Sequence, residues 1–88
     1  MKVSVVVPNW NGINLVAMCL DSLKALDFED FEVILIDNGS VDGSQKMIEN
    51  DYPWVQLVKL TKNMGFAFAC NKGYRASSGD YVVLLNND

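Results

Sequence analysis

The 88-residue sequence contains no histidine, which removes at once the commonest general base near neutral pH and the commonest zinc ligand. Any chemistry must therefore run on carboxylates, amides, backbone groups and bound ions. Basic residues are also few: seven Lys and Arg against eleven Asp and Glu leave a net charge of −4. That balance supplies no basic stripe for a phosphate backbone, so nucleic acid is not an expected partner. A nucleotide is not excluded, because a metal ion held on carboxylates can screen its phosphates. The two cysteines, Cys19 and Cys70, are far apart and fall in segments with helical patterns. They read as small buried hydrophobes in a reduced, cytoplasmic setting. Apolar runs reach only about six residues, far short of the roughly twenty that span a bilayer. Met1 and Lys2 lead straight into a strand-like segment, which leaves no room for a secretory signal.

What is present is an apolar half of the composition, enough to fold one small domain, although this length is marginal for a self-sufficient core. Four runs rich in Val, Ile and Leu recur: Val3 to Val7, Val33 to Ile36, Val55 to Leu60 and Tyr81 to Leu85. Most are continuous rather than alternating, as in parallel strands buried on both faces. Helical patterns separate them. Leu15, Cys19, Leu23 and Leu26 recur at spacings of three and four and predict the buried stripe of a first helix. Ser44 to Asn50 predicts a second, with Met47 and Ile48 facing in, Asp42 as N-cap and Pro53 preventing continuation. Phe66 to Ser77 predicts a third, ended by Gly79, with Gly73 inside it for close packing. The order β-α-β-α-β-α-β implies a parallel sheet with right-handed crossovers, whose ligands bind beyond the carboxyl ends of the strands.

Four segments lie at those ends: Pro8 to Gly12, Asp37 to Asp42, Thr61 to Gly65, and Asn86 to Asp88. The first has only Gly12 where a dinucleotide-binding turn needs GxGxxG, and Trp10 obstructs a pyrophosphate there. Trp10 instead offers a flat face for a base, or closes the bottom of a small core. Asp37 is placed either to accept hydrogen bonds from a ribose hydroxyl or base N–H, or to bond its own loop in an Asx-turn with Gly39 at positive φ. Gly65 either admits a ligand close to the backbone or simply starts the third helix. Asn71 is an awkward polar residue in an alanine-rich helix unless it bonds a loop or ligand. Oxygen ligands at the last strand end suit Mg²⁺ or Mn²⁺, which prefer few protein oxygens plus substrate phosphates; the alternative for Asp88 is a solvated loop. Asp42 and Asp80 read as cap and turn residues. The chain stops at Asp88 directly after a strand, so residues 1–88 read as a truncated domain.

In this order, Val5-Val-Val-Pro-Asn-Trp-Asn-Gly12, Asp37-Asn-Gly-Ser-Val-Asp-Gly-Ser44, Asn63-Met-Gly-Phe66 with Asn71-Lys-Gly73, and Gly79-Asp-Tyr-Val-Val-Leu-Leu-Asn-Asn-Asp88 resemble the N-terminal part of family-two glycosyltransferases of the GT-A fold. The resemblance covers essentially the whole chain. It implies an α/β, Rossmann-like three-layer half-domain with a four-stranded parallel sheet of order 3-2-1-4. Pro8, Asn9, Trp10 and Asn11 would line the nucleoside pocket, with Trp10 as the base-stacking aromatic. Asp37 and Asn38 would bound base and ribose, Gly65 would floor the ribose side, and Asn87 would face the ligand crevice. Asp88 falls at the last acid of the DxD-type motif, which holds a divalent metal (Mg or Mn) against the donor diphosphate. Two departures stand out: Asn38 replaces the second acid of many relatives, and Asn86-Asn87-Asp88 keeps one carboxylate. Both look like the rhamnosyltransferase-like branch.

The implied function is that of the donor-binding half of an inverting glycosyltransferase using a UDP, dTDP or GDP sugar. The family's catalytic base lies beyond Asp88, so the chain alone is expected to be inactive. The alternative is a non-catalytic nucleotide-binding or structural module of the same fold. Surfaces left uncovered by truncation predict a homo-oligomer, and association of a longer parent with a membrane is compatible with the sequence.

Overall fold

The computed structural model describes residues 2–26 and 30–86. Four strands alternate with three helices: β1 (Val3–Asn9), α1 (Ile13–Lys24), β2 (Phe31–Asp37), α2 (Ser44–Asp51), β3 (Gln56–Lys59), α3 (Phe66–Ala76) and β4 (Tyr81–Leu84). All three pairings are parallel, and the sheet order is β3-β2-β1-β4. This is the order expected from the sequence. The chain reverses direction in the sheet between β3 and β4, so the strands on either side of β1 leave a crevice at its carboxyl end.

Parallel register sorts the side chains by face. Val5 and Val7 align with Val33 and Leu35 and pack with Val16, Leu20, Leu23 and Ile48 beneath α1 and α2. Val6 aligns with Ile34, and both pack with Ile36 against Ala69 of α3. Both faces of β1 and β2 are therefore buried, as their continuous apolar runs require. The strand β4 differs. Tyr81 and Val83 align with Val3 and Val5, Val82 and Leu84 with Ser4 and Val6, and all four are exposed.

The buried stripe of α1 departs from expectation. Val16, Leu20 and Leu23 face the sheet, whereas Leu15 and Leu26 are 46% and 56% exposed and Cys19 is only half-buried. Two apolar stripes share Leu23 on this helix, and the crossover to β2 selects the one rotated by about one residue. Ile48 of α2 is buried and Met47 packs partly against the core, as expected. Tyr52, at the end of α2, donates its hydroxyl to Asp21 of α1 at 2.7 Å. That bond, with burial, pushes its phenol up to about 12.

The N-cap of α2 is Gly43 rather than Asp42. Asp42 has a wider role: one carboxylate oxygen accepts from the Ser44 amide at 3.0 Å and from its hydroxyl, and the other from the Ile13 amide at 3.0 Å. It thus joins the first turns of α1 and α2, whose amides have no intrahelical partner. Burial alone would raise the Asp42 carboxyl; the Ser44 and Ile13 bonds outweigh this and hold it below the usual range. The third helix ends at Ala76 with Ser77 extended, two residues before Gly79. Asp80, expected as a turn residue, instead accepts from the remote Lys2 amide at 3.0 Å and ties the start of β4 to the start of β1.

Candidate nucleotide-binding cleft

The carboxyl ends of β1 and β2 and the segments that follow β3 and β4 enclose a cleft of about 300 Å³. Five asparagines line it (Asn9, Asn11, Asn38, Asn63 and Asn86), together with Pro8, Trp10, Gly12, Leu15 and Phe66. No charged side chain is among them. An amide carries both a donor and an acceptor, so the groups not spent on bonds within the protein can hold a neutral polar ring edge without demanding a charge. Trp10 is 56% exposed beside this wall and does not close the core. Its ring and that of Phe66 provide apolar surface on which a planar group can stack.

Beneath the wall, hydrogen bonds lace the first two strand ends together. The Asp37 carboxylate is fully buried and does not line the cleft. Its Oδ1 accepts from Asn9 Nδ2 at 2.9 Å and Ser40 Oγ at 2.7 Å, and its Oδ2 from Ser40 N at 2.8 Å and Gln45 Nε2 at 2.7 Å. Four donors compensate a buried anion that would otherwise be costly. Ser40 Oγ in turn accepts from the Asn11 amide at 2.8 Å, while Asn11 Oδ1 accepts from Val41 N at 2.8 Å. Asn11 itself sits at φ 50, a left-handed conformation that asparagine tolerates better than most residues. Both alternatives for this loop therefore meet: Asp37 bonds its own turn, and by doing so fixes Asn9 and Asn11 of the wall. Gly39, at φ 77, is held so close to Lys62 that a Cβ would lie 2.5 Å from its Cα. Only glycine fits there.

Asn38 reaches the third loop, donating from Nδ2 to Gly65 O at 3.1 Å and accepting at Oδ1 from Met64 N at 2.8 Å. Gly65 is the N-cap of α3 at φ 89 and ψ 164, with open space where a Cβ would be. The backbone conformation, not crowding, requires glycine here. Asn71 is exposed on α3 in a separate shallow hollow with Phe68, Lys72 and Arg75, away from the cleft. A further hollow beyond β2 and β3 contains Lys59, whose ammonium pairs with Glu49 at 3.4 Å, and no aromatic ring. Neither matches the cleft in setting two ring faces beside a wall of several amides: the first has one ring and one amide between two cations, and the second has no ring.

Asn87 and Asp88 lie outside the described residues. Among the described residues no group of three or more His, Cys, Asp and Glu could hold a metal. Burial pushes the Cys19 and Cys70 thiols up, away from thiolate chemistry. Of the residues expected to bind nucleotide, Pro8 to Asn11 and Asn38 line the cleft, whereas Asp37 and Gly65 do not. Leu15 reads from sequence as a core residue, and Asn63 and Phe66 enter that reading through the Asn63-Met-Gly-Phe66 motif with no contact assigned to either.

Residues 4–88 match the model of the glycosyl transferase family 2. The chain belongs to that family. It is 35% identical over 92 residues to the uncharacterized glycosyltransferase YfnE of Bacillus subtilis, covering 100% of this chain and 23% of that one. The mannosyltransferase of Pyrobaculum calidifontis, solved in complex with GDP-Man and Mn²⁺, superposes with a TM-score of 0.91 at 30% identity, over 99% of this chain and 27% of that one. TarS residues 1–349 of S. aureus, in complex with UDP-GlcNAc, give 0.89 at 29% identity, over 100% and 27%. The chain spans between 13% and 28% of the length of such curated relatives. No described helix of this glycosyltransferase-family chain is long and apolar enough to cross a membrane.

Proposed function

We propose that the chain forms the donor-binding part of an inverting glycosyltransferase and takes a nucleoside diphosphosugar of UDP, dTDP or GDP type. The observation that carries this reading is the cleft of five asparagines beside exposed Trp10, at the carboxyl ends of β1 and β2 in a family 2 chain. The nucleobase stacks on Trp10, and the Asn11, Asn63 and Asn86 amides meet its polar edge and the ribose hydroxyls. Asp37 acts from below by holding Asn9 and Asn11, and Asn38 and Gly65 shape the opposite side.

The diphosphate lies toward Asn86, with Asn87 and Asp88 next in sequence. The described donor set is amide oxygen, which binds a hard cation weakly, so Mg²⁺ or Mn²⁺ needs the Asp88 carboxylate and phosphate oxygens to complete its shell. The metal, when bound, stabilises negative charge on the leaving diphosphate. The mannosyltransferase of Pyrobaculum calidifontis carries Mn²⁺ with GDP-Man, which supports the same pairing here.

Transfer itself needs a base to take the proton of the acceptor hydroxyl as its oxygen attacks the anomeric carbon and the diphosphate leaves. No carboxylate lines the described cleft. The chain by itself therefore binds donor without transferring sugar. The test is an NMR titration with UDP, dTDP and GDP in diamagnetic Mg²⁺. Shifts are expected at the Trp10 indole and the Asn11, Asn63 and Asn86 side-chain amides. Shifts confined to the Phe68–Arg75 hollow, or none, would overturn the reading.

A further inference from the structure

The loop between β3 and α3 carries two of the cleft's walls, Asn63 and Phe66, yet it is held by very little packing. Residues 61–68 are all exposed. Its attachments to the body are hydrogen bonds and one close approach: Leu60 N donates to Asp37 O at 2.9 Å, the Lys62 backbone lies against Gly39, and Asn38 supplies the rest. Asn38 is itself firmly anchored, because its backbone amide donates to Asn9 O at 2.8 Å and its side chain is almost wholly buried.

The two side-chain bonds of Asn38 have opposite polarity. Its NH₂ meets the Gly65 carbonyl, which also accepts the first bond of α3 from Ala69 N at 3.2 Å, and its oxygen meets the Met64 amide. Among the ordinary side chains of this size only a primary amide offers one donor and one acceptor in that arrangement. A carboxylate accepts from Met64 but turns a negative oxygen toward the Gly65 carbonyl; a protonated carboxyl restores the donor.

We infer that Asn38 is a positioning residue, a latch whose amide fixes the Met64–Gly65 turn and thereby sets Asn63 and Phe66 against the nucleotide. Its effect on the ligand passes through the loop. The inference rests on the nucleotide-binding reading of the cleft, and the test separates the two.

The experiment compares the parent with Asn38→Asp and Asn38→Leu between pH 7 and pH 4. The first readout, made without ligand, is the hydrogen-exchange protection of the Met64 amide relative to the core amide of Leu35. The second is the affinity for whichever of UDP, dTDP and GDP the parent binds. At pH 7 both variants are expected to lose about tenfold in Met64 protection and in affinity, the scale of one buried hydrogen bond. As the pH falls, Asn38→Asp alone recovers toward the parent, because its carboxyl regains a proton to donate to Gly65 O. A role in global stability alone moves Leu35 and Met64 protection together, because protonation relieves any buried carboxylate whatever it bonds. Loss of Leu35 protection in step with that of Met64 identifies global unfolding and overturns the latch. Equal Met64 protection in all three proteins, or a pH-independent loss in Asn38→Asp, overturns the latch. Absence of nucleotide binding by the parent, with the protection pattern intact, overturns the proposed function and leaves the latch standing.

Discussion

Replacing Gly73 by alanine should destabilise the protein although it improves the helix. Gly73 lies in α3 directly over β1, and its position is buried. A Cβ built there overlaps Val6 Cγ1 well inside contact distance and lies 3.1 Å from Cγ2 and 3.2 Å from Cβ of the same valine. Val6 is 1% exposed and β-branched, so its rotamer has little freedom to yield. The helix must lift from the sheet or the valine must leave its well. Overpacking of this kind costs about 1–3 kcal/mol, at its upper end for so close an overlap. Relief of glycine's helix penalty returns about 1 kcal/mol. The net loss is therefore about 1–2 kcal/mol, or a fall in Tm on the order of 5–15 °C for a domain this small. Urea unfolding of the parent, Gly73→Ala, Val6→Ala and the double variant measures it. Val6→Ala removes the obstructing methyls, so the double variant should be more stable than the two single losses added together. A Gly73→Ala protein as stable as the parent, or additivity in the cycle, would refute close helix–sheet packing as the reason for this glycine.

Trp10→Ala should leave the melting temperature nearly unchanged, since the ring is largely exposed, and should weaken nucleoside diphosphate binding by about 1–3 kcal/mol, read by calorimetry. Acid should destabilise the fold through two carboxylates with depressed pKa. The Ser4 hydroxyl and Ser78 amide hold Glu32 down, and the Ser44 and Ile13 bonds, against burial, hold Asp42 down. Their contributions are fully present above the unfolded carboxylate values and are lost as pH falls through the lower folded ones, from about pH 4 downward. Melting curves should show a shallower acid decline in Asp42→Asn and Glu32→Gln than in the parent. The exposed apolar strand β4, with Leu15 and Met18 also exposed on α1, leads us to expect self-association of the 88-residue chain. Sedimentation showing one monomeric species across concentrations would contradict that.

Much of the fold was legible because the four apolar runs, each bounded by turn residues, announce parallel strands; burial on both faces holds for β1 and β2 but not for β3 or β4. The cleft's location followed, since strand carboxyl ends are fixed by chain direction. What escaped depends on contacts between segments remote in sequence. The stripe of α1 is ambiguous locally: Leu15-Cys19-Leu23 and Val16-Leu20-Leu23 have equivalent spacing, and only the sheet beneath decides. The fourfold coordination of Asp37 draws on Asn9, Ser40 and Gln45, and no local pattern distinguishes a carboxylate aimed at a ligand from one aimed inward. Asp42 likewise looked like the cap of one helix, whereas its second oxygen serves another helix 29 residues earlier.

Calorimetric titration of a nucleoside diphosphate, with and without Mn²⁺, on the parent chain and on Asp88→Ala tests the central claim most directly. With one carboxylate at the metal position, nucleotide and metal should each tighten the other. The account predicts measurable nucleotide binding by the parent that Mn²⁺ strengthens, and weaker, Mn²⁺-insensitive binding by Asp88→Ala. Equal affinity in all four combinations would remove Asp88 from the metal role. No binding of UDP, dTDP or GDP by the parent under either condition would contradict the account itself.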